Sequence, residues 1–167
     1  MQIDVDRAVR AVQAAVEFDW TWTVDDLARF GRQVGWDLAW KSDGSPLLTT
    51  DFHINRPDVL VYTEDAEGAE EPDRLKEMEF RATDVTLDDP SVLHELDQVF
   101  DNLTQRIAEV AEQEPDWRWS HPTRGVRWDL LDVVVSVTVS ERAVYVRLVG
   151  PDYQLWCDDI DRSLAQN

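Results

Sequence analysis

Three histidines, one cysteine and several adjacent acids are the residues of this 167-residue chain whose types could do chemistry. Their spacing speaks against most of it. His53, His94 and His121 stand far apart, and none belongs to a His-Glu-x-x-His run that would set two imidazoles over a zinc ion on one helix face. Cys157 has no second thiol with which to form a disulfide or a thiolate metal site, so it reads as a buried or inert group. The pairs Asp25-Asp26, Asp88-Asp89 and Asp158-Asp159 could in principle ligate calcium or share acid and base roles. Adjacent side chains usually point apart, however, and the first two pairs stand where helices are expected to start, close to the positive end of a helix dipole. No Gly-x-Ser-x-Gly elbow presents a nucleophile, and the 6 glycines never cluster into a phosphate loop. The expectation is a protein without catalytic residues, metal ligands or cofactor.

Charge and aromatic content carry more information. Asp and Glu number 35 against 16 Lys and Arg, giving a formal charge of −19, and the same chain holds 8 tryptophans. Such a surface repels phosphate backbones, because nucleic-acid affinity comes largely from Lys and Arg displacing counterions. Nucleic acid is therefore excluded as a partner. A basic protein would be attracted, although the same charge also keeps a chain soluble and would accompany a salt-adapted or GC-rich proteome.

The densest acidic stretch supplies the candidate docking patch: Glu64, Asp65, Glu67, Glu70, Glu71 and Asp73, in an expected exposed loop. Trp117 and Trp119 share one face of an extended segment near a Pro/Gly turn. They are the candidate aromatic anchors within a negative rim, or a platform for sugar stacking. Trp36 and Trp40, on one strand face with Leu38, are expected in the core.

The elements that must position these groups follow from periodicity. Val5, Val9, Val12 and Val16 recur at steps of four, three and four and predict a helix from about Asp4 to Phe18. Thr23 can cap a second helix that runs to Val34 and stops at Gly35. From Trp36 the period changes to two, and Asp43-Gly44 offers a turn into Leu47 to Phe52. Val59 to Tyr62 and Met78 to Ala82 give two further strands. Asp89-Pro90 opens a long helix carrying Leu93, Leu96, Phe100, Leu103, Ile107 and Val110.

The last hairpin is specified residue by residue, with Val139 opposite Val144, Val137 opposite Val146 and Val135 opposite Leu148. A terminal helix from Asp152 to Leu164 closes the chain. No internal repeat emerges. The fold class is α+β: one domain over residues 1–167, an antiparallel sheet of about five to six strands, and helices covering it as a single layer. No apolar run is long enough to span a membrane, and the acidic N-terminus is unlike a signal peptide, so the expected location is the cytosol. Nothing in the pattern specifies an oligomeric state.

The phrases Phe18 to Leu27, Val34-Gly35-Trp36 and Pro151 to Trp156 resemble those of an uncharacterised family of small, acidic, Trp-rich bacterial proteins. The resemblance covers nearly the whole chain, and its motifs are structural, so it brings no active residue with it. It implies similarity to immunity-type proteins, which neutralise a cognate toxin by tight binding, and in element order to secretion-chaperone-like proteins. The expected function is a non-catalytic module that binds a basic protein, such as a toxin domain. The alternatives are an adaptor with an apolar groove, or an enzyme whose dispersed acids hold a divalent cation.

Overall fold

Valines spaced by four and three residues build the first helix. In the computed structural model, which describes residues 1–166, α1 (Val5–Glu17) buries Val5, Val9 and Val12 with Ala8, Ala11 and Ala15, while Val16 is half-buried. Asp4 caps it, one carboxylate oxygen accepting from the Arg7 N–H at 3.3 Å. Helix α2 (Asp25–Val34) stops at Gly35, whose φ of 79° is the left-handed stop anticipated there.

The start of α2 corrects the expectation, because Val24 is the cap position and no side chain caps the helix. Asp26, completely buried, turns back instead. It accepts from the Thr21 N–H at 3.1 Å, the Trp22 N–H at 2.7 Å and the Thr21 hydroxyl at 2.7 Å. The Arg29 guanidinium adds a charged donor, so the carboxylate is buried without being left uncompensated.

Eight antiparallel strands form one sheet, where five to six were expected. They are β1 (Asp37–Trp40), β2 (Pro46–Thr49), β3 (Asp58–Glu64), β4 (Arg74–Arg81), β5 (Trp117–Trp119), β6 (Arg124–Asp129), β7 (Val134–Val139) and β8 (Val144–Val149). Their spatial order is β1-β2-β3-β4-β8-β7-β6-β5. A 3-10 turn over Pro90–Val92, capped by Asp89, leads into α3 (Leu93–Ala111). A helix followed by a four-stranded meander therefore occurs twice, and β4 pairs with β8 to join the halves. The β7–β8 register is the anticipated one at each pair, Val135 with Leu148 and Val139 with Val144 included.

One continuous cluster of buried side chains links α1, α2, α3 and both meanders. Trp36 lies within it, edge-to-face with Phe80 at 5.3 Å and Phe30 at 5.5 Å. Trp40 does not: it is 55% exposed, because it pairs with Pro46 at the turn end of the edge hairpin, beyond the Leu38–Leu48 pair.

The single helical layer also needs correction. Tyr62, Glu77, Arg147 and Arg127 alternate with core residues along their strands and so project from the opposite face of the sheet. Helix α4 (Pro151–Ala165) lies on that face, with Tyr153 beside Tyr62 and Asp158 bonded to Arg127. Among the described residues no helix is long and apolar enough to cross a membrane.

Candidate functional site

Two aromatic segments far apart in the chain meet at the start of β4. The Leu75 N–H donates to the Trp22 carbonyl and the Gly150 N–H donates to the Lys76 carbonyl, both at 3.0 Å. A cavity of about 520 Å³ opens between them, with Trp20, Trp22, Leu131, Pro151 and Tyr153 on its walls. It adjoins a second of about 300 Å³ that includes Tyr62, Glu64 and Trp156, and Arg74, Lys76, Asp152 and Tyr153 belong to both.

The wall formed by Trp22 is held in place at some cost. Its φ is 54°, a left-handed conformation that a bulky residue rarely adopts and that costs about 1–3 kcal/mol. Its N–H is held by Asp26, its carbonyl by Leu75, and its indole N–H donates to the Asp132 carbonyl at 3.0 Å. The ring stacks on Trp20 with centroids 4.5 Å apart. Gly150 permits this packing, since a Cβ there would come within 3.1 Å of the Trp22 ring.

From this wall an aromatic ladder crosses from β3 onto α4. Tyr62 and Tyr153 have centroids 5.8 Å apart, and Tyr153 and Trp156 stack at 5.8 Å. Tyr62 is 51% exposed and Trp156 58%, so the ladder presents large apolar surface to solvent. Tyr153 is half-buried; burial, together with the neighbouring Cys157, pushes its phenol up to about 12 and keeps it neutral at physiological pH. The Lys76 ammonium sits 5.5 Å from the Tyr153 ring centroid.

The acidic patch borders this ladder. Glu64 ends β3, and Asp65, Glu67, Glu70, Glu71 and Asp73 follow in the turn to β4, all exposed. The two groove cations are satisfied from inside the molecule: Arg74 reaches Glu64 at 3.5 Å and Glu67 at 3.4 Å, and Lys76 reaches Glu64 at 3.2 Å. Asp73 closes the turn by accepting from the Ala66 N–H at 3.0 Å. Among the described residues no cation pairs with Asp65, Glu70, Glu71 or Asp73.

The tryptophan pair singled out in the sequence lies elsewhere. Trp117 and Trp119 are on β5, at the sheet edge, separated from β4 by β8, β7 and β6, or about 19 Å of strand spacing. Trp117 is 56% exposed and its indole N–H donates to Asp129 at 2.9 Å. Trp119 is half-buried because its indole covers Gly125 on the paired strand, leaving no room for a Cβ.

The ladder of Tyr62, Tyr153 and Trp156 was missed in the sequence, although Tyr153, Trp156, Ile160 and Leu164 recur at helical steps. His53, His94 and His121 are all exposed, and no group of three or more His, Cys, Asp or Glu side chains among the described residues is placed to hold a metal ion. A larger depression of about 640 Å³ lies between α3 and the β5–β6 hairpin, where Arg118 and Arg124 already pair with Glu114 and Asp101.

A family model described as a family of unknown function (DUF6301) matches residues 6–150, and the chain belongs to that family. The match stops just before α4 begins. No curated protein and no solved structure matches the chain.

Proposed function

We propose that this DUF6301 protein is a non-catalytic binding module for a basic protein, acting as an immunity-type inhibitor that occludes a cationic toxin domain. The observation that carries the reading is the exposed Tyr62–Tyr153–Trp156 ladder lying against an acidic turn most of whose carboxylates have no internal cation. The two parts do different work. Unpaired carboxylates draw a cationic surface in and reject anionic ones, chiefly through the association rate, while desolvated aromatic rings supply binding energy and slow dissociation.

The turn is suited to the first task because its six carboxylates are all exposed and its ends are fixed, Asp73 accepting from the Ala66 N–H through its side chain and from the Val24 N–H through its carbonyl. The ladder is suited to the second because Tyr153 is held between two neighbouring rings, so little side-chain freedom remains to be lost on binding.

Capture from native cell lysate tests this with tagged wild type beside a variant carrying Glu64→Gln, Asp65→Asn, Glu67→Gln, Glu70→Gln, Glu71→Gln and Asp73→Asn. Wild type should retain a basic polypeptide that elutes as salt is raised, and the variant should lose it. Equal recovery by both proteins, with the same salt profile, would overturn the assignment. A second reading, the adaptor with an apolar groove, draws on the exposed Leu155, Trp156 and Leu164 of α4. It is distinguished by capture that survives high salt.

A further inference from the structure

On one flank of α4, Tyr153, Trp156, Ile160 and Leu164 follow at steps of three, four and four, a stripe about 16 Å long. Trp156, Ile160 and Leu164 are exposed, and no residue of α4 is buried. Leu60 and Tyr62, two residues apart on β3, project exposed from the same sheet face that α4 occupies. The first half of the stripe, Tyr153 and Trp156, lines a trough with Tyr62 and Glu64, whose floor cations Arg74 and Lys76 are already paired with the acidic turn, and Ile160 and Leu164 continue the stripe along α4 beyond it. Asp152, on the wall of the trough, has no cation partner among the described residues, and the unpaired Asp65, Glu70, Glu71 and Asp73 of the turn add to the negative charge at that end.

We propose that this trough receives an amphipathic helical segment rich in Lys and Arg. Its apolar side would lie on the α4 stripe and its cations would face the acidic turn. The inference rests on the basic-partner reading above and names the form in which that partner is recognised. Charge complementarity selects this occupant. A second copy of the chain would bring another −19 against the same acidic border, and an anionic lipid surface would be repelled likewise. A helix fits because apolar side chains at three- and four-residue steps present a ridge that matches the stripe over three turns, as in other helix-in-groove complexes.

The test uses a synthetic peptide of Leu and Lys, about four helical turns long, in two forms of identical composition. One is patterned so that Leu forms a helical stripe, and the other is scrambled so that it cannot. Both are titrated calorimetrically into wild type, into Trp156→Ala/Ile160→Ala and into the neutralised turn variant described above. Wild type should bind the patterned peptide at least about ten-fold tighter than the scrambled one. The α4 variant should lose that preference, and the turn variant should bind both peptides more weakly with a shallower salt dependence.

Equal binding of the two peptides by wild type, or a preference that survives the α4 substitutions, overturns the helix inference. The basic-partner reading then stands if the turn variant is still weakened, and falls with it if neutralising the turn changes nothing. Sedimentation showing a wild-type dimer that the α4 substitutions dissolve would assign the stripe to a second copy and also overturn the inference. Trp156 and Ile160 are exposed, so urea unfolding of the α4 variant should match wild type and confirm that lost binding is not lost folding.

Discussion

Arg127 and Asp158 meet as a fork, Nη1 to Oδ1 at 2.9 Å and Nη2 to Oδ2 at 2.7 Å, and this pair fastens α4 across the sheet. Their side chains are 15% and 26% exposed, so the bonds are only partly screened by water. The ladder depends on the fastening, because Tyr153 and Trp156 are carried on the same helix.

Asp158→Asn should cost about 1.5–3 kcal/mol at neutral pH, the range for hydrogen bonds to a charged group. The Arg127 guanidinium holds the Asp158 carboxyl below the usual carboxylate range, with Gln154 assisting against the opposing effect of burial. A depressed folded value stabilises above the unfolded one, near 3.9, and that contribution is lost as pH falls through the folded value. Urea titrations of wild type and variant should differ at neutral pH, and the gap should close only as pH falls below the ordinary carboxylate range and through the depressed folded value. A gap that persists at acid pH would count against the ion pair as its source.

Asp26→Ala should be among the most damaging single changes, at about 2–3 kcal/mol, since it removes the buried carboxylate that accepts from the Thr21 and Trp22 N–H groups and from Arg29. It should also release Trp22 from its left-handed backbone and separate it from Trp20. Near-ultraviolet circular dichroism reads that separation through the coupling of two indoles 4.5 Å apart. Loss of stability with the coupling intact would contradict the role given to Asp26.

Gly125→Ala should destabilise by about 1–3 kcal/mol, because the added methyl meets the Trp119 indole and forces it off the strand. Trp119→Ala in the same chain should remove most of that penalty, so a double-mutant cycle should show a clear interaction energy. Additive effects would place the strain elsewhere.

Trp156→Ala should leave the unfolding free energy within about 0.5 kcal/mol of wild type, as expected for an exposed side chain. It should weaken partner binding by about 2 kcal/mol or more, mainly through faster dissociation. Destabilisation without lost binding would make Trp156 a packing residue.

Much of this architecture could be read from residue order, for local reasons. The valines of β7 and β8 alternate without interruption, which leaves only one register that buries them, and the observed pairing is that one. β5 and β6 are hard to read as strands because β5 has only three residues and β6 sets just Val126 and Trp128 into the core, with Arg124 at the exposed end of the same face and Arg127 and Asp129 on the other. The alternation of Trp40 with Leu38 is sound, but its exposure follows from its place at the turn end of an edge hairpin, which is a property of the whole sheet. The groove was invisible for a similar reason. Trp22 and Tyr153 become neighbours only through the pairing of β4 with β8, a contact between halves that no local pattern announces.

The account centres on the ladder beside the acidic turn as the place where a basic partner docks. A photo-crosslinking phenylalanine placed at Tyr62, irradiated in the native cell and compared with the same group at exposed Leu87 outside the groove, reads that directly. The account expects a basic polypeptide crosslinked from Tyr62, none from Leu87, and loss of the adduct when the acidic turn is neutralised. An adduct with a neutral or acidic protein, or one indifferent to the turn, would contradict it.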